Sequence, residues 1–220
     1  MKFVAVLGMG RFGSSVARTL ADMGCQVLAI DRREDKIREI EGIVTQAVQM
    51  DATDERALRA VGIKDVDAAV VAIGAGMEAS ILASLLLKEM GVPYVISKAV
   101  TATHGRVLEK IGCDRVVFPE IEMGVRVARR IVSPGVLDEL GLEGDYGVFE
   151  LKVPPQLSDK SIKDIDFRNK YGLTIIAIKS GDKEINIAPQ PSDRLREGDI
   201  IVVIGSKEKA DQFDLKVQQK

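Results

Sequence analysis

The chain has 220 residues, 46% of them hydrophobic and 29% charged, with a formal net charge of −2. That length suits one large or two modest domains, and the composition excludes bulk disorder because it supplies enough apolar surface to bury a core. The near-neutral balance excludes the global basic field that would gather nucleic acid or an anionic membrane.

The chain enters a strand almost at once, at Phe3 to Leu7, without the basic, apolar and small-residue segments of a signal peptide. No apolar run is long enough to span a bilayer, so a membrane connection is expected to run through a partner. From there, short β-branched runs alternate with longer stretches of helical periodicity, the pattern of βαβ units on a parallel sheet. The strands are expected at Phe3 to Leu7, Gln26 to Ile30, Thr45 to Gln49, Ala68 to Ile73, Tyr94 to Lys98 and Arg115 to Phe118. Between them fall helices at Gly13 to Met23, Glu34 to Glu41, Asp54 to Val61, Glu78 to Met90 and Thr103 to Ile111. This is a Rossmann-like, doubly wound α/β domain over residues 1–120. Gly24, Gly62, Gly91 and Gly112 sit near helix ends, where a left-handed residue closes the last turn.

One more helix, Ile121 to Val132, carries Met123, Val127 and Ile131 as an apolar stripe at i, i+4 spacing. Its stripe packs either on a partner subunit or on its own domain, and Arg126, Arg129 and Arg130 read as a solvated face. Ser133-Pro134-Gly135 breaks it, a short helical stretch is expected at Val136 to Leu140, and Gly141 to Asp145 reads as a linker. These form a crossover and linker over 121–145. Residues 146–220 then read as a small α+β module. Its strands are expected at Val148 to Val153, Leu173 to Lys179, Ile185 to Ala188 and Ile200 to Ile204, and its helices at Ser161 to Asp166 and Lys207 to Phe213. Gly181-Asp182 is the expected hairpin turn, and Lys216 to Lys220 are expected to fray.

The chemistry concentrates in the first turn. Gly8-Met9-Gly10-Arg11-Phe12-Gly13 follows a strand and opens a helix, the context a dinucleotide-binding glycine pattern requires. Gly8 permits the tight turn, Gly10 lets backbone amides approach a phosphate, and Gly13 allows close helix packing, while the helix N-terminus stabilises the charge. Asp31 ends the second strand 18 positions beyond Gly13, near the spacing at which an acid accepts from a ribose 2′-hydroxyl. That favours an unphosphorylated ribose, although Arg32 and Arg33 just beyond the strand are of the type that holds a 2′-phosphate. Asp51, Ala52 and Thr53 close the third strand; Asp51 either accepts the adenine amino group or caps a helix starting near Asp54. Ala72, Ile73 and Gly74 close the fourth and could line base or ribose.

Cys25 and Cys113 lie far apart with no metal-ligand spacing, so buried, reduced thiols in a cytoplasmic protein are expected rather than a disulfide or zinc site. His104 is the only histidine and reads as a solvated surface residue. No proton-transferring group stands out of the kind that dehydrogenase chemistry needs, so no catalytic residue is assigned.

The order of motifs GMGRFG, LAIDRRED, MDATDE, VVAIGAGMEAS, VLEKIGCDRVVFPE and EMGVRVAR resembles the regulatory subunits of Trk/Ktr-type bacterial potassium transporters, built from RCK (regulator of K⁺ conductance) domains. Ser161 to Ile165, Tyr171 to Ile175 and Leu195 to Ile200 resemble their C-terminal module, so the likeness spans essentially the whole chain. It implies a non-enzymatic cytosolic homodimer assembling into an octameric ring. That ring would lie against the inner face of the membrane on a potassium-translocating partner, gated by ATP, ADP or NAD(H).

The resemblance further implies that Gly8, Gly10, Gly13, Asp31, Asp51, Ala72, Ile73 and Lys98 line the nucleotide, and that Arg11 reaches a terminal phosphate. Phe12 and Arg32 complete the set. Glu120 matches an acid associated with Mg²⁺ or Ca²⁺ at the phosphates, or it caps the following helix. Family members of the Ktr type bind cyclic di-AMP in the C-terminal module. Here Arg168, Ile162, Ile187, Ala188 and Pro189 are the corresponding candidates, with an ordinary surface role for Arg168 as the alternative. Two other readings of the same fold are an NAD-dependent oxidoreductase and a nucleotide-binding regulator of a different membrane partner.

Overall fold

The computed structural model describes residues 1–74, 76–132, 136–142, 144–181 and 184–218; the side chains of 129, 137–139, 184 and 214–218 are outside that description. The chain divides into two compact units, Met1–Met123 and Gly124–Lys220.

The first unit alternates β1 (Phe3–Leu7), α1 (Arg11–Asp22), β2 (Gln26–Asp31), α2 (Glu34–Arg38), β3 (Gln46–Gln49) and α3 (Glu55–Ala60). It continues with β4 (Ala68–Val71), α4 (Met77–Glu89), β5 (Val95–Lys98), α5 (Ala102–Ile111), β6 (Arg115–Val117) and the start of α6 (Pro119–Val132). The strands form one sheet in the order β3-β2-β1-β4-β5-β6, and every pairing is parallel. That is the doubly wound arrangement the βαβ periodicity predicts, with its reversal between β1 and β4.

Both faces of the sheet are covered, as an all-parallel sheet requires. On one face Ala5 and Leu7 of β1 pack with Leu28, Ile30, Val71 and the α3 and α4 residues Leu58 and Leu87. On the other, Val6 packs with Val27, Ala29, Ala17 of α1 and Ile37 of α2. Val4, Ala5, Val6 and Leu7 are all buried, which is why β1 reads as a continuous apolar run rather than an alternating one. Asp54 caps α3 by accepting from the Arg56 and Ala57 amides, and Thr101 caps α5 through the His104 amide. Gly24, Gly62, Gly91 and Gly112 all take positive φ, as expected at those helix ends.

The second unit holds β7 (Val136–Gly141), β8 (Tyr146–Lys152), α7 (Ile162–Ile165), α8 (Phe167–Tyr171), β9 (Thr174–Ser180), β10 (Glu184–Ile187), β11 (Ile200–Ser206) and α9 (Lys207–Gln218). Its sheet runs β10-β9-β11-β8-β7 with antiparallel pairings. Phe149, Leu151, Phe167, Ile201, Val203 and Phe213 fill its core, and Phe167, Tyr171 and Phe213 pack as a group of tilted and edge-on rings.

Several expectations change here. Val136 to Leu140 is the strand β7 rather than a helix, because pairing with β8, including Glu139 with Phe149, overrides weak local preference. The described residues of the expected linker consequently belong to the β7–β8 hairpin: Gly141 pairs with Gly147, and the Leu142 amide donates to the Tyr146 carbonyl. A helix at Phe167–Tyr171, separated from α7 by Asp166 at φ 51°, was not expected. α9 continues to Gln218, into the residues expected to fray. The break at 133–135, Asp182 of the expected hairpin turn and the last two residues lie outside the described residues.

His104 is fully buried at the start of α5 instead of solvated. Its Nδ1 accepts from the Val100 amide at 3.4 Å, and among the described residues Nε2 has no hydrogen-bond partner. Cys25 and Cys113 are free thiols, but only partly buried. Among the described residues no helix is long and apolar enough to cross a membrane.

Candidate nucleotide site

A cavity of about 270 Å³ opens at the C-terminal ends of β1 to β4, at the point where the strand order reverses. Gly8, Gly10, Asp31, Arg32, Asp51, Ala52, Thr53, Ala72, Ile73 and Gly74, all expected from sequence, line it together. Arg11, Phe12, Gly13, Lys98 and Glu120 are not among its lining residues.

The glycines of the first turn each meet a different constraint. A Cβ on Gly13 would lie 1.9 Å from the Gly8 carbonyl oxygen, so α1 packs against the loop as only glycine permits. Gly8 holds φ +97°, with the Ala72 and Ile73 backbone 3.1 Å from where its Cβ would stand. A Cβ on Gly10 would meet nothing within 4 Å among the described residues. Gly10 is the N-cap of α1 and supplies no side-chain cap, so no side-chain acceptor at that position takes up the first amides of the helix, the arrangement that receives a phosphate. Met9, 1% exposed, anchors the turn in the core.

Asp31 is hydrogen-bonded from both sides: Oδ2 accepts from the Met9 amide at 2.6 Å and Oδ1 from the Arg33 amide at 2.9 Å. Each carboxylate oxygen can accept further bonds, so these hold the group in place for a ribose without using it up. Asp51 is held by Thr53, whose amide and hydroxyl donate to Oδ1 at 2.9 and 2.7 Å. Those bonds keep its carboxyl below the usual aspartate value, with a smaller contribution from Arg32. The helix cap at this position is Asp54, which leaves Asp51 facing the cavity.

Arg33, raised from sequence beside Arg32, also lines the cavity, as do Ile30, Lys36, Met50 and Ala79, which were not assigned. Lys36 was findable, because it lies four positions beyond Arg32 near the start of α2. Arg33 is engaged by Asp35 and Lys36 by Glu39 through exposed or half-exposed ion pairs.

Beside the cavity lies a second cluster. Lys98, at the end of β5, has a side chain only 10% exposed, and its Nζ lies 2.5 Å from Oε1 of Glu120, whose side chain is 67% exposed. The same ammonium sits 5.9 Å from the centre of the Phe12 ring and 3.7 Å from where a Cβ on the cavity-lining Gly74 would stand. Lys98 holds the Glu120 carboxyl below its usual value, and Arg11 adds to this. Among the described residues no group of three or more His, Cys, Asp and Glu side chains could enclose a metal ion. A cation on Glu120 would therefore need phosphate oxygens to complete its shell.

In the second unit, Ile162 is half-buried on α7 and Arg168 exposed on α8. Ile187, 78% exposed, ends β10. Ala188 is exposed and Pro189 half-buried.

The TrkA-N domain family matches residues 4–119 and the TrkA-C domain family residues 148–217. The Ktr system potassium uptake proteins C and A of Bacillus subtilis are 41% and 42% identical to this chain over 98% and 97% of its length, covering 97% and 96% of their own. Potassium uptake protein A of the Ktr system in Vibrio alginolyticus is 40% identical over 94% of both chains. Among solved structures, the GsuK RCK domain superposes with a TM-score of 0.53 at 23% identity, and a GsuK channel bound to NAD with 0.56 at 24%. Both cover all of this chain, which spans 47% and 39% of those longer ones. The order of motifs, the two domain-family matches and the 40–42% identical relatives lead to one conclusion: the chain belongs to the TrkA-N/TrkA-C (RCK) family that includes the Ktr potassium-uptake proteins A and C.

Proposed function

We propose that the chain is a cytosolic regulatory subunit that binds an adenine nucleotide, ATP, ADP or NAD(H), and thereby gates a membrane potassium-translocating partner. The observation that carries this reading is the cavity itself. It joins an uncapped helix N-terminus at Gly10 to two fixed carboxylates, Asp31 and Asp51, on adjacent strand ends. The first suits phosphate, and the second and third suit ribose and the adenine amino group. Gating follows if the ligand binds one shape of the assembly more tightly than another, by no more than that difference in affinity.

The assembly is a homodimer built into an octameric ring. Supporting this, the whole apolar series of α6 is open to solvent, with Met123 53%, Val127 52% and Ile131 77% exposed, as expected of a helix face completed by a second copy. Arg126 and Arg130 are exposed on the same helix. Cyclic di-AMP is the proposed second ligand, at Ile162, Arg168, Ile187, Ala188 and Pro189, where exposed apolar surface on β10 is available to an adenine ring.

Calorimetry on the full chain with ATP, ADP, NAD⁺, NADH and cyclic di-AMP tests the reading. Micromolar binding, weakened for ATP more than for ADP by Arg11→Ala, is the expected result; absence of any nucleotide binding would remove the proposal. Light scattering of wild type against Val127→Asp tests the ring, which the substitution should reduce to smaller species.

A further inference from the structure

Resting on the nucleotide reading above, we infer that Lys98 is a built-in counter-cation for the phosphate end of the site. It stands where a divalent cation would otherwise join Glu120 to the nucleotide, so that binding does not require the metal.

The geometry gives Lys98 this position. Its ammonium is nearly enclosed, yet it lies 3.7 Å from where a Cβ on the cavity-lining Gly74 would stand and packs over the ring of Phe12 in the phosphate turn. An ammonium has three donors, and among the described residues Glu120 is its one hydrogen-bond acceptor. Donors therefore remain for a phosphate arriving beside Gly74. Without Lys98, the Glu120 carboxylate would confront that phosphate with like charge, with Arg11 left as the other cation acting on Glu120.

A metal and the ammonium compete for the same carboxylate. Mg²⁺ and Ca²⁺ approach oxygen at about 2.0–2.1 Å and 2.3–2.6 Å, so a cation on Oε1 would stand beside Nζ, now at 2.5 Å, and the two positive charges would repel. On the second oxygen it would place its charge across one carboxylate from the ammonium. Metal and lysine are thus alternative partners of Glu120, and the lysine is already in place.

The experiment is calorimetric titration of ATP and of ADP into the full chain, in EDTA and in Mg²⁺ or Ca²⁺. Four proteins are compared: wild type, Lys98→Gln, Glu120→Gln and the double variant. For wild type, affinity in EDTA and in metal should agree within about threefold. Lys98→Gln should lose about tenfold or more in EDTA, the scale of one charge-assisted contact, and recover it in metal. The double variant should have no such metal response. Glu120→Gln, altering an exposed side chain, tests the same point if Lys98→Gln does not fold: its EDTA affinity should equal or exceed that of wild type. Nucleotide binding by wild type that appears only with metal, or a Lys98→Gln metal response equal to that of wild type, would overturn the inference while leaving the nucleotide site standing. No nucleotide binding under either condition would overturn both.

Discussion

The Met9 amide donates to Oδ2 of Asp31 at 2.6 Å, across the gap between the phosphate turn and the end of β2. The loop that would receive the phosphates and the acid that would receive the ribose are therefore one hydrogen-bonded unit before any ligand arrives. Asp31→Ala should strip acceptors from two backbone amides at once. We expect a stability loss of about 2 kcal/mol in urea denaturation, since hydrogen bonds to charged groups carry about that much, with a loss of about tenfold or more in nucleotide affinity. Unchanged affinity would show that the ribose does not reach this carboxylate.

Gly13 and Gly10 separate folding from binding. Gly13→Ala places a methyl group 1.9 Å from the Gly8 carbonyl oxygen, and because both sides are backbone α1 must shift. A cost of about 3 kcal/mol is expected. Gly10→Ala meets nothing within 4 Å at φ −71°, so its stability should stay within about 0.5 kcal/mol of wild type while nucleotide affinity falls as the methyl group occupies the phosphate approach. Thermal melts and calorimetry on both variants distinguish these roles.

Burial holds His104 neutral and its pKa below the ordinary 6.5. As the pH falls, the unfolded chain takes up the proton first. The contribution is complete above about 6.5 and is lost as the pH falls from there through the folded-state value. The lowered carboxylates Asp51, Asp114 and Glu120 act further into acid, from the ordinary values of 3.8, 3.8 and 4.5 downward. Urea denaturation at about pH 7.5 and about pH 5.5 should therefore show a stability loss that His104→Gln reduces. An equal loss in both proteins would assign it to other groups.

Ala188 holds φ 61°, a left-handed conformation costly to a residue with a Cβ and without a side-chain oxygen to offset it. Asp159 and Asp166 share that region and tolerate it better. Ala188→Gly should raise stability by about 0.5 kcal/mol, the relief of strain exceeding the added freedom of the unfolded chain. A melting temperature that falls would indicate that the methyl group makes a contact worth more than the strain.

The first unit was legible because its signals are local. A strand, three glycines and a helix within the first two dozen residues specify a phosphate turn, and Asp31 follows at the strand end the fold assigns to ribose. What escaped depends on tertiary placement. Val136 to Gly141 has neither alternation nor a long apolar run, and becomes a strand by pairing with β8. His104 is polar by type and buried by its place at the start of α5. Lys98 ends a buried strand and carries no motif of its own; the family resemblance assigns it to the nucleotide, but its pairing with Glu120 appears only when β5 and the start of α6 come together.

The position of β7 bears on how the second unit can be handled in isolation. The TrkA-C match begins at residue 148, and a fragment cut there would discard β7 and the first residues of β8. The remaining length of β8 would become a bare edge, with unpaired amides and carbonyls alternating above the buried Phe149 and Leu151. Such an edge is a template for intermolecular pairing and aggregation. A fragment beginning before Val136 keeps the edge covered, and it is the one expected to stay monodisperse in solution at high concentration.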